Sequence, residues 1–198
     1  ASTIKLPIVL LALQRLQELK GNGIDKFSAM ITEPGGQGLS AVFNEPNSAD
    51  GMPTIASYIK KILLISDNDA FNRLYEFLGQ EYINRQLKAK QYESAQVLHR
   101  LELPLTDSQN KYSNPVAFYR NGSLLFKQSS QYNKVNYPQR NDSMGKGYYS
   151  NGKLVNKAMD FSTKNRLSLS DLHTMLMDLV LPGQMAATRQ FSISEEDL

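Results

Sequence analysis

The sequence predicts a single mixed α/β domain over residues 1–198, mainly helical in its first half and rich in short strands at about 107–163. Apolar residues fill most faces of a helical pattern over residues 3–20, which is typical of a buried helix. Within residues 147–155, an Asn151-Gly152 pair lies between aromatic and β-branched residues and predicts a type I′ hairpin turn. A chain of 198 residues is long enough to bury one sizeable core.

The boundaries of the first helix follow from local signals. Ser2 is a good N-cap residue, Pro7 lies in the first turn, where proline costs least, and Gly21 and Gly23 end the helix. Amphipathic spacing and a terminating glycine predict the later helices. The predicted later helices are residues 54–65, 69–78, 80–90 and 168–180.

Composition excludes several functional classes. The absence of cysteine excludes disulfides and thiol nucleophiles, and no apolar run is long enough to span a membrane. The net charge of +3 conceals a basic segment over residues 111–166, where ten basic residues face only Asp142 and Asp160. Either this segment contacts an anionic surface such as an envelope polymer, or its lysines simply face water. No nucleic-acid-binding motif accompanies it, so no nucleic-acid partner is expected.

Ser2 and Lys5 form the first candidate catalytic pair. Three residues apart on a helix, their side chains can meet on one face. A serine hydroxyl needs a base before it becomes a good nucleophile, and a buried lysine can have its pKa lowered enough to act as one. The same Ser-x-x-Lys spacing also occurs at four other places in the chain, but only Ser2 opens a buried apolar helix. The other pairs are Ser57/Lys60, Ser108/Lys111, Ser143/Lys146 and Ser150/Lys153.

Two further elements follow in order. Ser66 and Asn68 lie in a connection between predicted helices, where short polar side chains can point into a cleft or simply cap the next helix. Glu102 lies in a polar loop. His99 and His173 have no partner at metal-ligand or triad spacing, so structural roles are expected, and no metal or organic cofactor is implied.

These strings resemble the penicillin-recognising serine enzymes, most closely class A β-lactamases. The stretch from Ser66 to Asn72 resembles the family pattern Ser-Asp-Asn-x-Ala-x-Asn. The stretch from Arg100 to Thr106 resembles the Ω-loop string Arg-x-Glu-x-x-Leu-Asn, which holds the carboxylate that activates the deacylating water. Thr106 departs from the pattern, standing where the family has asparagine; it could still bind a water.

The resemblance implies the α/β serine β-lactamase/transpeptidase-like fold and hydrolysis of β-lactam amides through an acyl-serine intermediate. It implies that Ser2 attacks, that Lys5 serves as base, and that Ser66 relays a proton to the leaving nitrogen. Asn68 would orient Lys5 and the substrate amide, while Glu102 would prime a water. The partner would be a small β-lactam or peptidoglycan-like molecule, and the protein a periplasmic or secreted monomer.

The same resemblance leaves other functions open. A D-Ala-D-Ala peptidase or esterase of the same fold is one alternative, and a catalytically silent relative that binds an envelope ligand is another. The third family signature, a Lys-Thr-Gly or Lys-Ser-Gly strand, is absent from the sequence. Both ends look cut, so we expect that most of the core sheet is missing and that this segment alone is inactive. The stretch 107–163 resembles a hairpin insertion.

Overall fold

The structure, a computed structural model, describes residues 2–35, 40–184 and 186–197. It is a mixed α/β arrangement that is mainly helical, as the sequence predicts. Each predicted helix is present to within a residue or two, and one further short helix, α5, is not among the predicted ones. The helices are α1 (Lys5–Leu19), α2 (Ile55–Ile65), α3 (Asn68–Leu78), α4 (Gln80–Ala89), α5 (Asp107–Asn110) and α6 (Leu169–Val180).

The start of the first helix differs from the prediction. Ser2 does not cap it, because Ser2–Ile4 forms a 3₁₀ turn that runs directly into α1. The residue at the N-cap position is Ile4, which makes no side-chain capping bond. Pro7 then falls at the third position of α1, where its missing N–H would have no intrahelical acceptor in any case. The hydroxyl of Ser2 is therefore not committed to a cap.

Helix α3 lies at the centre of the molecule. Every residue from Ala70 to Leu78 is buried, and α3 packs against α1, α2 and α4. The N-cap of α2 is Thr54, whose side chain and that of Ser57 form a reciprocal capping box. The connection between α2 and α3 contains only Ser66 and Asp67, so it joins the exposed last turn of α2 directly to the buried helix α3.

A small antiparallel sheet covers one side of the helices. Its strand order is β1-β3-β4, with β3 in the middle and Val116, Ala117 and Phe118 buried. The Phe118 ring meets the edge of Phe77 from α3, with 5.2 Å between ring centroids, which joins the sheet to the helical core. The strands are β1 (Ala29–Thr32), β2 (Tyr112–Ser113), β3 (Val116–Arg120) and β4 (Ser123–Gln128).

The remaining strands are short and lie mostly at the surface. The hairpin predicted at Asn151-Gly152 is present, with positive φ at both turn residues. An Asn121-Gly122 pair joins β3 to β4 in the same way, so the same sequence signal marks it. These strands are β5 (Gln131–Tyr132), β6 (Ser143–Met144), β7 (Tyr148–Ser150), β8 (Lys153–Val155) and β9 (Met159–Asp160).

The strands β3 and β4 fall within the stretch 107–163 that the sequence predicts as an insertion. They pair with β1 and pack on the core, whereas the β6–β9 and β7–β8 pairs lie outside it. The first third of that stretch is therefore part of the central packing, and an insertion over the whole of it stays a prediction. Among the helices that the structure describes, none is both long and apolar enough to cross a bilayer.

Candidate active site

Lys5 and Ser66 meet although 61 residues separate them in the chain. The Nζ of Lys5 donates to the backbone oxygen of Ser66 and, at 3.0 Å, to its Oγ. Lys5 begins α1, and Ser66 ends α2, so the packing of α2 beside α1 brings the buried lysine to the exposed serine. The first and second sequence motifs therefore share one site.

The surroundings of Lys5 favour a neutral amine more than water does. The residue is only 3% exposed, and this burial lowers its pKa from the usual 10.5. The charges of Asp67 and Glu102 act in the opposite direction and offset part of the effect. The charge of Glu102 therefore acts on Lys5, although no hydrogen bond or ion pair joins the two among the described residues.

The corner at Ser66 has an unusual backbone. Ser66 has φ of 57° and ψ of 39°, in the left-handed region that non-glycine residues seldom occupy. Asp67 accepts a hydrogen bond from the N–H of Ala70 at 2.8 Å and so caps α3. A capping role thus accounts for Asp67, and it leaves the hydroxyl of Ser66 pointed at Lys5.

Glu102 shares this conformation, with φ of 59° on an exposed loop. Five non-glycine residues in the described ranges have positive φ, and two of them, Asn121 and Asn151, belong to ordinary Asn-Gly turns. A third, Gln91, directly follows the residue that caps the end of α4. Ser66 is likewise the residue that ends α2, where a left-handed conformation is common, so of these five only Glu102 has no turn or helix end to account for its backbone.

Asn72 anchors the loop that carries Glu102 to helix α3. Its amide Nδ2 donates to the backbone oxygen of Leu101 at 3.0 Å, and its Oδ1 accepts from the Leu101 N–H at 2.8 Å. Asn72 is 2% exposed on α3, so the two bonds form in a dry environment. The residue before Glu102 is therefore fixed to the central helix.

A buried ion pair anchors the start of the same loop. The guanidinium of Arg100 pairs with the carboxylate of Glu76 from α3, with 2.6 Å from Nε to Oε1, and both side chains are almost fully buried. Burial raises the pKa of Glu76, while Arg100 and the N–H of Asn114 counter that rise by binding its charged form. Arg100 also donates to the backbone oxygen of Tyr112, which ties the loop to β2.

The remaining predicted residues are less constrained. Ser2 is exposed, and its hydroxyl forms no hydrogen bond with any residue in the described ranges. Asn68 is half-buried at the first position of α3, and the structure gives its side chain no partner among those residues. Thr106 caps α5, accepting from the N–H of Gln109 at 3.2 Å and donating to its Oε1. A water-binding role for Thr106 stays a prediction, because a local turn already uses this hydroxyl.

His99 has a structural environment. Its Nδ1 pairs with the backbone oxygen of Arg100 at 2.7 Å, and its Nε2 with the N–H of Asn165 at 3.2 Å. Because Nε2 must accept, the ring carries its proton on Nδ1, and burial lowers its pKa from 6.5. His173 is exposed on α6.

Sequence reasoning missed two positioning residues, Asn72 and Glu76. Asn72 is the last residue of the Ser-Asp-Asn-x-Ala-x-Asn string, so the motif itself marked it. Glu76 lies four residues later on the buried face of an amphipathic helix. An acidic residue at such a position signals a buried partner, and Arg100 is that partner.

A serine corner, a desolvated lysine and a carboxylate loop are groups of the kind that acyl transfer by serine hydrolases uses. The model of the β-lactamase enzyme family matches residues 1–189. The chain therefore belongs to the β-lactamase enzyme family, and membership supports serine hydrolase chemistry on β-lactams. No curated protein and no solved structure matches the chain significantly.

Proposed function

We propose that the full-length protein hydrolyses β-lactam amides through an acyl-serine intermediate, in the manner of a class A β-lactamase. The observation that carries the proposal is the contact between Lys5 and the strained corner at Ser66, with Glu102 in electrostatic range. Membership of the β-lactamase family supports the chemistry at the level of a serine hydrolase.

In acylation, the Oγ of Ser2 attacks the lactam carbonyl carbon and gives its proton to the neutral amine of Lys5. The tetrahedral intermediate collapses, the ring C–N bond breaks, and the nitrogen takes a proton through the hydroxyl of Ser66. Lys5 already donates to Ser66 Oγ, so it can return the proton to that hydroxyl. Asn68 would bind the amide of the substrate, since its side chain has no other bond in the described residues.

In deacylation, Glu102 takes a proton from a water that attacks the ester carbon of the acyl-serine. The ester bond to Ser2 breaks, and the serine oxygen takes up the proton that Glu102 removed from the water, so Glu102 is again ionised and Lys5 again neutral, as at the start. Glu102 suits this role because it is a carboxylate with no hydrogen bond to any described residue, on a backbone that Asn72 fixes one residue earlier. None of these steps uses a metal ion or an organic cofactor.

Intact-protein mass spectrometry of the full-length protein with benzylpenicillin tests the proposal. We expect an adduct on Ser2 that appears and then disappears as the penicillin is consumed. Ser2→Ala should form no adduct and lose at least about 10⁴-fold in turnover, because nucleophile and base act as one unit. Ser150→Ala is the matched control: it removes the serine of another Ser-x-x-Lys pair, in the exposed β7–β8 hairpin, and should change nothing.

The other outcomes separate the alternative functions. A lasting adduct on Ser2 would indicate a D-Ala-D-Ala peptidase or esterase that deacylates slowly. Complete absence of an adduct would contradict the hydrolase and favour a silent relative that binds an envelope ligand. A periplasmic or secreted location follows from the proposed substrates, and fractionation of the source cells tests it.

A further inference from the structure

A second lysine, Lys61, binds the corner between α2 and α3. It lies in the last turns of α2, and its Nζ is 3.6 Å from Oδ2 of Asp67. The other carboxylate oxygen of Asp67, Oδ1, accepts from the N–H of Ala70 at 2.8 Å. The backbone N–H of Asp67 also donates to the backbone oxygen of Lys61 at 3.3 Å. Each oxygen of the Asp67 carboxylate therefore has its own partner.

Glu45 fixes the ammonium of Lys61 from the opposite side. The Nζ of Lys61 donates to Oε2 of Glu45 at 2.9 Å, and Oε1 of Glu45 accepts from the N–H of Asn47 at 3.2 Å. The N–H of Glu45 donates to the backbone oxygen of Gly51 at 2.8 Å, and the residue is only 7% exposed. Lys61 is thus held between an anchored glutamate and the corner that contains Asp67.

The charges around Lys61 keep it protonated. Burial alone would lower its pKa, but the hydrogen bond to Glu45 and the charges of Asp67 and Asp69 outweigh burial, so the pKa lies above 10.5. Asp69 has a partner of its own, since Arg73 pairs with it at 3.0 Å. Among the described residues, the carboxylates within 4 Å of the Lys61 ammonium are those of Glu45 and Asp67.

The Asp67 carboxylate could otherwise serve as a counter-ion for Lys5. The charges that act on Lys5 are those of Asp67 and Glu102, and both favour its protonated form. No ion pair joins Asp67 to Lys5 among the described residues, because the two oxygens of Asp67 are directed to the α3 cap and to Lys61. A carboxylate free to turn towards Lys5 would hold it as an ammonium, which cannot accept the proton of a serine.

We propose that Lys61 is a positioning residue of the hydrolytic site: it keeps the Asp67 carboxylate paired within the corner, so that this carboxylate does not become the counter-ion of Lys5. The importance of Lys61 for turnover rests on the function proposed above. Its effect on Lys5 does not, because the titration of Lys5 can be measured without any substrate.

NMR titration of the Lys5 side chain in the full-length protein tests the proposal. Lys61→Met should raise the midpoint of Lys5 by at least about 0.5 pH unit, whereas Lys61→Arg, which keeps the charge, should leave it within about 0.2 unit. Lys60→Met is the matched control, because Lys60 is the exposed neighbour on the same helix, and it should also shift the midpoint by less than about 0.2 unit. An unchanged midpoint in Lys61→Met, or an equal rise in Lys60→Met, would overturn the proposal.

A double-mutant cycle then tests whether Asp67 carries the effect. Asparagine caps a helix as well as aspartate does, so Asp67→Asn should keep the α3 cap and, by removing a negative charge, lower the midpoint of Lys5. Adding Lys61→Met to Asp67→Asn should then leave the midpoint unchanged. A rise as large as in the native background would show that Lys61 acts without Asp67 and would contradict the proposal. If Lys61→Met does not fold, Lys61→Gln takes its place in both experiments.

The pH dependence of acylation by benzylpenicillin links the titration to catalysis. The acid limb of the acylation rate should move to higher pH in Lys61→Met by the same amount as the Lys5 midpoint, and return to its native position in Lys61→Arg. An acid limb that stays in place while the midpoint moves would overturn the catalytic part of the proposal. Absence of acylation in the native protein would instead contradict the proposed hydrolase function, and the Lys5 titration would still decide the role of Lys61.

Discussion

The two sides of the candidate active site are built differently. On one side, α1 and α2 bring Lys5 and Ser66 into direct contact, and both residues belong to elements packed in the core. On the other side, Glu102 lies on an exposed loop and touches no described residue through a hydrogen bond; Asn72 and Arg100 hold its neighbours instead. Packing of helices therefore positions Lys5 and Ser66, whereas buried polar bonds to α3 position the loop that carries Glu102.

On the loop side, the largest effect should come from the carboxylate of Glu102. Glu102→Gln should slow deacylation of the full-length protein about 10² to 10⁴-fold, the usual contribution of a general base, while acylation stays near its native rate. Stopped-flow and mass spectrometry with benzylpenicillin measure the two steps. Glu93→Gln, at an exposed position, is the control. An unchanged deacylation rate would remove Glu102 from the mechanism.

The next-largest effect should come from breaking the buried ion pair between Glu76 and Arg100. Glu76→Gln leaves the Arg100 guanidinium buried without its counter-charge, so we expect a loss of about 3–5 kcal/mol in the free energy of unfolding. Urea denaturation measures it. Glu81→Gln, which removes an exposed ion pair with 3.9 Å between its atoms, should cost less than about 1 kcal/mol. Equal losses for the two variants would show that the pair does not anchor the loop.

Asn72 offers a sharper comparison, because Asn84 makes matching bonds to the backbone N–H and oxygen of Val97. Asn72→Ala and Asn84→Ala should each cost about 1–3 kcal/mol, the penalty for leaving buried backbone groups unpaired. Only Asn72→Ala should also slow deacylation, because only Asn72 holds the residue before Glu102. A similar kinetic change in both variants would indicate a general loss of stability rather than positioning.

The smallest expected effect is the pH dependence that His99 gives to the free energy of unfolding. Burial depresses the pKa of His99 below 6.5, so the unfolded chain binds a proton that the folded chain resists. The free energy of unfolding should therefore fall as pH drops below 6.5, and His99→Gln should flatten that slope. His173→Gln, at an exposed position, should leave the slope intact. Thermal denaturation across pH 5 to 8 measures the difference.

The helical side was largely predictable from sequence, and the loop side was not. Apolar spacing located the helices, and the order of motifs predicted the meeting of Lys5 with Ser66; a shared site with Glu102 stays a prediction. The role of Ser2 as a helix cap was wrong, because a 3₁₀ turn continues into α1 without a capping side chain. The bonds of Asn72 and Glu76 depend on contacts over 24 to 38 residues, which spacing along one chain does not reveal.

The most direct test of the account is the pKa of Lys5 in the folded protein. Its amine is held against the Ser66 corner and shielded from water, and this environment would let it accept the serine proton. Titration of a ¹³C-labelled lysine side chain by NMR, assigned with Lys5→Arg, measures it. The account predicts a midpoint below the usual 10.5 for Lys5, with exposed Lys153 as the internal reference. A midpoint at or above 10.5 would contradict the proposed role of Lys5 as the base.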